Sequence, residues 1–189
     1  MREAAEKLPT TEADYLEWEK RQPERWEFVG GIPRMMSGGT VGHGDIAENI
    51  LMSLNQRLAG TGCRARGGNV RVRNPAGKHM YPDVFVSCGR PHRSDVFIDD
   101  PVLVVEVLSL STEGYDQTIK RWAYQEIETL RTLVLVSQDE MKLELVTRAA
   151  GGTWSSTFLV GPRAVLPLPD LDVELPLAEI YADIDFEET

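Results

Sequence analysis

Apolar and polar positions along this chain follow two periods, and the places where the period changes mark its elements. Ile46, Ile50, Leu51, Leu54 and Leu58 recur every three or four residues. That spacing predicts an amphipathic helix closed by Gly60. After Gly114, the residues Ile119, Trp122, Ala123 and Ile127 predict a second helical face. An earlier helix is signalled by Thr10 or Thr11 followed by Asp14, a loose capping pattern. Its few apolar residues, Tyr15, Leu16 and Trp18, place it on the surface.

The remaining segments read as strands. RWEFV and IPRMM flank Gly30-Gly31, a two-residue hairpin signal, because paired glycines accept the positive φ of such turns. CRARGGNVRVR reads as two extended pieces, and YPDVFVSC as a strand opened by proline. PVLVVEVLS is apolar at nearly every position, as expected of a strand covered on both faces at a sheet centre, and RTLVLVS is similar. MKLELVTR alternates like a half-exposed strand, and GGTWSSTFLV pairs back on it as a hairpin. The closing LPLPDLDVELPLAEIY is broken by prolines and is expected to pack over the sheet edge before a loose acidic end. There is no internal repeat and no low-complexity tract.

This order of elements predicts an α/β (α+β) fold, a mixed central β-sheet flanked by helices with an added N-terminal β-hairpin. The PVLVVEVLS strand, the following helix and the TLVLV strand form a plausible right-handed crossover. A length of 189 residues suits one domain. Its expected parts are an N-terminal helix over 10–22, a core over 23–160 and an acidic, proline-containing segment over 161–189.

Charge changes the picture in one respect. The net charge is −10, which argues against a contact face made for nucleic acid. The distribution is lopsided, however. Residues 164–189 hold no Lys or Arg but eight acids, whereas residues 63–79 hold Arg64, Arg66, Arg71, Arg73 and Lys78 and no acid. Such a basic strip can hold phosphates locally. No apolar run approaches the length needed to span a bilayer, and the charged N-terminus lacks the apolar stretch of a secretory signal. Cys63 and Cys88 have no metal-ligand spacing. The expectation is therefore reduced thiols in a cytoplasmic protein with no membrane partner.

Candidate chemistry centres on Glu106, a single carboxylate inside an apolar strand. Burying a bare carboxylate is costly, so it must be paired, hydrogen-bonded or bound to a metal. Strand alternation puts Val102, Val104, Glu106 and Leu108 on one face. Asp83, in the strand just upstream, converges on Glu106 if the two strands are neighbours. Converging carboxylates need a proton or a cation between them, and an oxygen-only pair suits Mg²⁺ or Mn²⁺. Asp116 and Lys120 share one helix face four residues apart, and Lys120 lies within reach of the pair to orient a water and offset phosphate charge.

These residues resemble a known family. YPDVFVS, then PVLVVEVLSLST, then Asp116 and Lys120 on a helix, look like the Uma-type family of restriction endonucleases, within the PD-(D/E)XK nuclease superfamily. WEFVGG with Glu27 and GHGD with His43 match two further places of the family pattern. The resemblance covers roughly residues 20–150. It implies a restriction-endonuclease-like core and Mg²⁺-dependent hydrolysis of phosphodiester bonds, with DNA the expected substrate. Asp83 and Glu106 would be both catalytic and metal-binding, Glu27 a third ligand, His43 and Asp116 accessory, and Arg64, Arg66, Arg71 and Arg73 would hold the nucleic-acid backbone. A homodimer is also implied. The chain departs from the superfamily where a lysine is expected two residues after the glutamate. Leu108 stands there, and Lys120 is its substitute. An alternative of another class is a catalytically inactive member of the fold acting as a dimeric binding or regulatory module, which Leu108 and the acidic charge favour. A third is an enzyme acting on a small phosphorylated substrate.

Overall fold

A computed structural model describes residues 8–36, 38–108, 114 and 116–186, with nothing stated of the side chains of residues 116 and 117. Helix α1 (Glu12–Glu19) starts at Thr11, whose hydroxyl oxygen accepts a hydrogen bond from the Asp14 amide at 3.2 Å. Strands β1 (Trp26–Val29) and β2 (Ile32–Met35) form the expected hairpin, with Gly30 and Gly31 both at positive φ. Helix α2 (Val41–Arg57) follows, then strands β3 (Cys63–Gly67), β4 (Arg71–Arg73), β5 (His79–Met80), β6 (Val84–Cys88), β7 (Phe97–Ile98) and β8 (Pro101–Leu108). A π-helical turn, Asp116–Lys120, leads into helix α3 (Arg121–Gln125). Strands β9 (Thr132–Ser137), β10 (Lys142–Arg148) and β11 (Trp154–Val160), a small β12–β13 ribbon (Val165–Leu168 and Val173–Pro176) and helix α4 (Leu177–Ile180) complete the chain.

The strands form a six-stranded sheet in the order β11-β10-β9-β8-β6-β3, a five-stranded sheet β2-β1-β5-β4-β7 and the two-stranded ribbon. In the large sheet β8 runs parallel to β9 and the other neighbours are antiparallel, so the sheet is mixed, as the pattern required. The mostly apolar strands β8 and β9 lie at its centre because only there are both faces covered. The basic stretch of residues 63–73 is divided between the sheets: β3 is an edge of the large one, and β4 belongs to the small one.

The two faces of the large sheet are covered differently. On one, Ile46, Ile50 and Leu54 of α2 and its C-cap Leu58 pack on Val84, Val105, Val107 and Val134, together with Leu166, Leu175, Leu177 and Ile180 of the C-terminal segment. That segment therefore lies over a face and not over the sheet edge, because Leu166, Leu175 and Leu177 are apolar enough to join the core. On the other face, Ala123, Tyr124 and Ile127 meet Phe85, Val104, Leu133 and Leu135, with Val29, Val72, Met80 and Ile98 of the smaller sheet.

Four further expectations are corrected. Helix α1 is not a surface helix: Tyr15 and Trp18 are buried with Phe28, the Tyr15 and Phe28 rings stacking at 4.9 Å. A register shift opposite Val86 and Ser87 breaks the alternation of β8, so Val102 packs with the α2 face while Val104 packs with the other. On the helix after Gly114, Ile119 and Trp122 are exposed, and the buried set is Lys120, Ala123, Tyr124 and Ile127. The helix is rolled so that an amine faces inward and an indole outward, for a reason the site supplies. Cys63 and Cys88, expected as reduced thiols, are joined in a disulfide. Their strands are antiparallel neighbours in a register that sets the two residues opposite each other, an adjacency that a separation of 25 residues does not reveal. The argument for a cytoplasmic protein from free thiols falls with it. Among the described residues no helix is long and apolar enough to cross a membrane.

Candidate active site

The site forms where the two sheets meet. After β5, the chain leaves the smaller sheet through Tyr81 and Pro82 and enters the larger one at Val84. Pro82 has no N–H to extend the first ladder, so the sheet changes here, and Asp83 stands at the change. The Val84–Val105 pairing sets Asp83 one step further along, opposite Glu106. Asp83 Oδ2 accepts a hydrogen bond from the Val107 amide at 2.7 Å, which fixes it against the end of β8. The strand adjacency inferred from the sequence is thus present.

Glu106 answers its burial with a hydroxyl and an ammonium. Its Oε1 receives the Tyr124 hydroxyl at 2.6 Å and lies 2.7 Å from the Lys120 ammonium. Lys120 also lies 3.0 Å from Glu27 Oε1. Glu27, on β1, accepts the Tyr81 amide at 2.9 Å. All three charged side chains are nearly dry, with 4%, 5% and 7% of the side chain exposed for Glu106, Lys120 and Glu27. An amine between two carboxylates compensates charge that none of the three could carry alone at that depth. This pairing rolls the helix inward at Lys120 and leaves Trp122 outside. Burial, followed by the charge of Glu106, pushes the Tyr124 hydroxyl well above the usual phenol range, so it remains a donor to the carboxylate.

Asp83 and His43 form the more open side. His43 Nε2 is 3.3 Å from Asp83 Oδ2, and their side chains are 18% and 21% exposed. Histidine 43 sits in the first turn of α2, its amide donating to the N-cap Thr40 hydroxyl at 3.1 Å. The site therefore runs from a dry cluster, Glu27–Lys120–Glu106–Tyr124, to a carboxylate and imidazole at the surface.

Of the residues singled out from the sequence, the structure brings together Glu27, Asp83, Glu106, Lys120 and His43. The side chain of Asp116 lies outside the described residues. The arginines are placed elsewhere. Arg71 is 8% exposed and paired with Glu19 at 3.0 Å, near the Tyr15 and Tyr81 rings. Arg73 bonds Asp99 at 2.9 Å and covers the Phe97 ring at 4.0 Å. Arg66 donates to Ser87 Oγ at 2.8 Å, and Arg64 is exposed on the β3 edge. Sequence reasoning did not single out Tyr124 as a site residue. Its position four residues after Lys120 was the available signal, since residues so spaced share a helix face.

The chain belongs to the Uma2 family, whose model, described as "Putative restriction endonuclease", matches residues 12–178. It is similar to "Uncharacterized protein slr1290" of Synechocystis sp., 34% identical over 143 residues, or 75% of each chain. "Uncharacterized protein sll1609" of the same organism is 27% identical over 158 residues, covering 82% of this chain and 89% of that one. Among solved structures, a "putative nuclease belonging to DUF820" from Anabaena variabilis superposes with a TM-score of 0.75 at 16% identity, covering 92% of this chain and 98% of the other. The two chains share one fold.

Proposed function

We propose that the protein is a Mg²⁺- or Mn²⁺-dependent endonuclease that hydrolyses phosphodiester bonds of DNA. The observation that carries this reading is the meeting of Asp83 with the Glu106 end of β8, beside the Lys120 ammonium. The donors are carboxylate oxygens, which suits these hard cations. Among the described residues no three of His, Cys, Asp and Glu converge as a cage. Mg²⁺ does not need one, because it keeps several waters and takes one or two carboxylates together with phosphate oxygens. Asp83 and Glu106 would hold it, and when bound it supplies Lewis-acid stabilisation of phosphate and a more acidic water.

The other residues have distinct tasks. Glu27 holds Lys120 and is a positioning residue more than a third ligand, given its 3.0 Å contact with the amine. Lys120 keeps a positive charge at Glu106, where it orients the attacking water and offsets charge gathering on the phosphate. Tyr124 fixes the Glu106 carboxylate. His43, at the open side, reaches the substrate end of the site.

The reading is tested by incubating purified protein and Mn²⁺ or Mg²⁺ with duplex DNA, single-stranded DNA and RNA. Cleavage of DNA that disappears in Asp83→Asn, with loss of Mn²⁺ affinity by calorimetry, is the expected result. Uncut substrates, with Asp83→Ala and wild type binding Mn²⁺ equally, overturn it. A second reading, a binding or regulatory module without catalysis, is favoured by one observation: Lys120 is already neutralised by two carboxylates. Unchanged Mn²⁺ titrations on Glu106→Gln would select it.

A further inference from the structure

The outer face of the smaller sheet has an odd composition for a covered surface. Val72 of β4 and Met80 of β5 point into the core. Alternation then puts Arg71 and Arg73 of β4, His79 of β5 and the next residue but one, Tyr81, on the opposite face. Their neighbours in register are Phe28 of β1, opposite His79, and Phe97 of β7, opposite Arg71. Cations interleaved with aromatic rings make a surface suited to single-stranded nucleic acid, through phosphate pairing and base stacking. Here that face lies under α1, whose sequence EADYLEWE holds four carboxylates and no base. Two of these carboxylates meet the sheet. Glu19 lies 3.0 Å from Arg71 and accepts the Tyr81 hydroxyl at 2.8 Å. Glu12 Oε1 lies 2.9 Å from His79 Nε2 and 3.9 Å from the Arg73 guanidinium.

The seat of α1 is also imperfectly satisfied. Among the described residues, three buried side-chain nitrogens have no hydrogen-bond partner: Trp18 Nε1, Trp26 Nε1 and His79 Nδ1. They gather at this one helix. Trp18 belongs to it, the Trp26 ring is 4.9 Å from that of Trp18, and the His79 ring is 5.3 Å from that of Tyr15. Each is a group that water would satisfy if the helix lifted. Helix α1 pairs with no strand, so lifting it breaks no sheet ladder. We infer that α1 is an acidic autoinhibitory cover. Glu12 and Glu19 occupy the cations that would otherwise take phosphates of a single-stranded nucleic acid, and the helix must lift before that face is used. The choice of ligand rests on the nuclease reading. The uncovered face leads into the site, since Tyr81 stands two residues before Asp83 and its amide is held by Glu27. Burial of Tyr15 and Trp18 keeps the cover closed in most molecules, so the apparent affinity is lowered by the small open fraction.

Fluorescence anisotropy of a labelled single-stranded oligodeoxynucleotide, with chelator present so that nothing is cut, tests this on the full chain. Glu12→Gln with Glu19→Gln is expected to bind about tenfold more tightly than wild type, because the open fraction rises. Glu17→Gln with Glu24→Gln removes the same charge from positions that do not meet the sheet, and is expected to change little. Adding Arg73→Gln to the first pair is expected to cancel most of the gain. Hydrogen exchange on wild type gives a second readout that needs no variant: amides of α1 are expected to exchange faster when the oligonucleotide is saturating. Circular dichroism checks the fold of the variants, and if the first pair fails to fold, the wild-type exchange decides. Equal affinity or no binding in the first pair and wild type, an equal gain in the charge-matched pair, or α1 exchange that the oligonucleotide leaves unchanged or slows, overturns the inference. Cleavage by wild type without any gain in the first pair sinks the cover alone. A gain without cleavage in Mg²⁺ or Mn²⁺ keeps the cover and sinks the nuclease.

Discussion

The two faces of the central sheet are built on opposite principles. The face under α2 is hydrocarbon: Ile46, Ile50 and Leu54 on valines, interchangeable within limits of volume and shape. The face under α3 has a comparable apolar border but holds Glu27, Lys120, Glu106 and the Tyr124 hydroxyl at its end. A replacement of similar volume on the first face costs little. On the second, each group is there for the others, and removing one leaves a buried charge behind. The difference teaches where chemistry resides: at the place where the fold keeps polar groups that packing alone would discard.

That contrast can be tested from its largest consequence downward. Glu106→Gln should lower cleavage by about 10³-fold or more, the loss of a principal electrostatic element, while Leu54→Ala should leave the rate per folded molecule unchanged. A metal-dependent cleavage assay on both variants checks it. Lys120→Met should destabilise the protein by about 3–5 kcal/mol, because Glu27 and Glu106 then face each other without a cation. Urea unfolding measures this, and adding Glu27→Gln to the same chain should restore part of the loss. Leu54→Ala, on the hydrocarbon face, should cost about 2–5 kcal/mol by opening a cavity, with Mn²⁺ affinity unaltered. Tyr124→Phe should cost about 1–3 kcal/mol, since it strips one hydrogen bond from a dry carboxylate and keeps the ring in place.

The smallest effect lies away from both faces and calibrates them. His79 is fully buried beside Glu12, and burial lowers its pKa below the usual 6.5 despite the opposing pull of that carboxylate. The unfolded chain then takes up a proton as pH falls through 6.5 while the folded one does not. The neutral imidazole's contribution is therefore complete above 6.5 and is lost as pH drops toward the lower folded value. Denaturation midpoints should decline over that window in wild type, and His79→Gln should flatten the decline.

Several features were legible without coordinates because they depend on neighbours in sequence. The Gly30-Gly31 hairpin, the cap at Thr11, the α2 stripe and the burial of β8 and β9 all follow from local conformational preference or from a single periodicity. The Asp83–Glu106 adjacency was legible for another reason: a carboxylate in an all-apolar strand demands a partner, and few candidates lay in the next strand. By contrast, the orientation of α3 was not legible. Its apolar residues suggested Trp122 inward, but the need to neutralise Glu27 and Glu106 outweighed the burial of one indole and turned Lys120 in. The placement of the basic strip was not legible either. Its residues share a stretch of sequence but not a surface, since β3 and β4 enter different sheets and Glu19 closes over Arg71.

The sequence by itself determined the mixed α/β architecture, the central strands and which acids required an explanation, because apolar periodicity and desolvation cost act on each segment wherever it lies. Only the tertiary structure decided the partners. It joined Cys63 to Cys88, drew α1 into a core of its own, and set Glu27 from the hairpin against an amine nearly a hundred residues away. Those pairings depend on strand register and on how the two sheets meet, which are properties of the whole packed chain and are written in no single stretch of it.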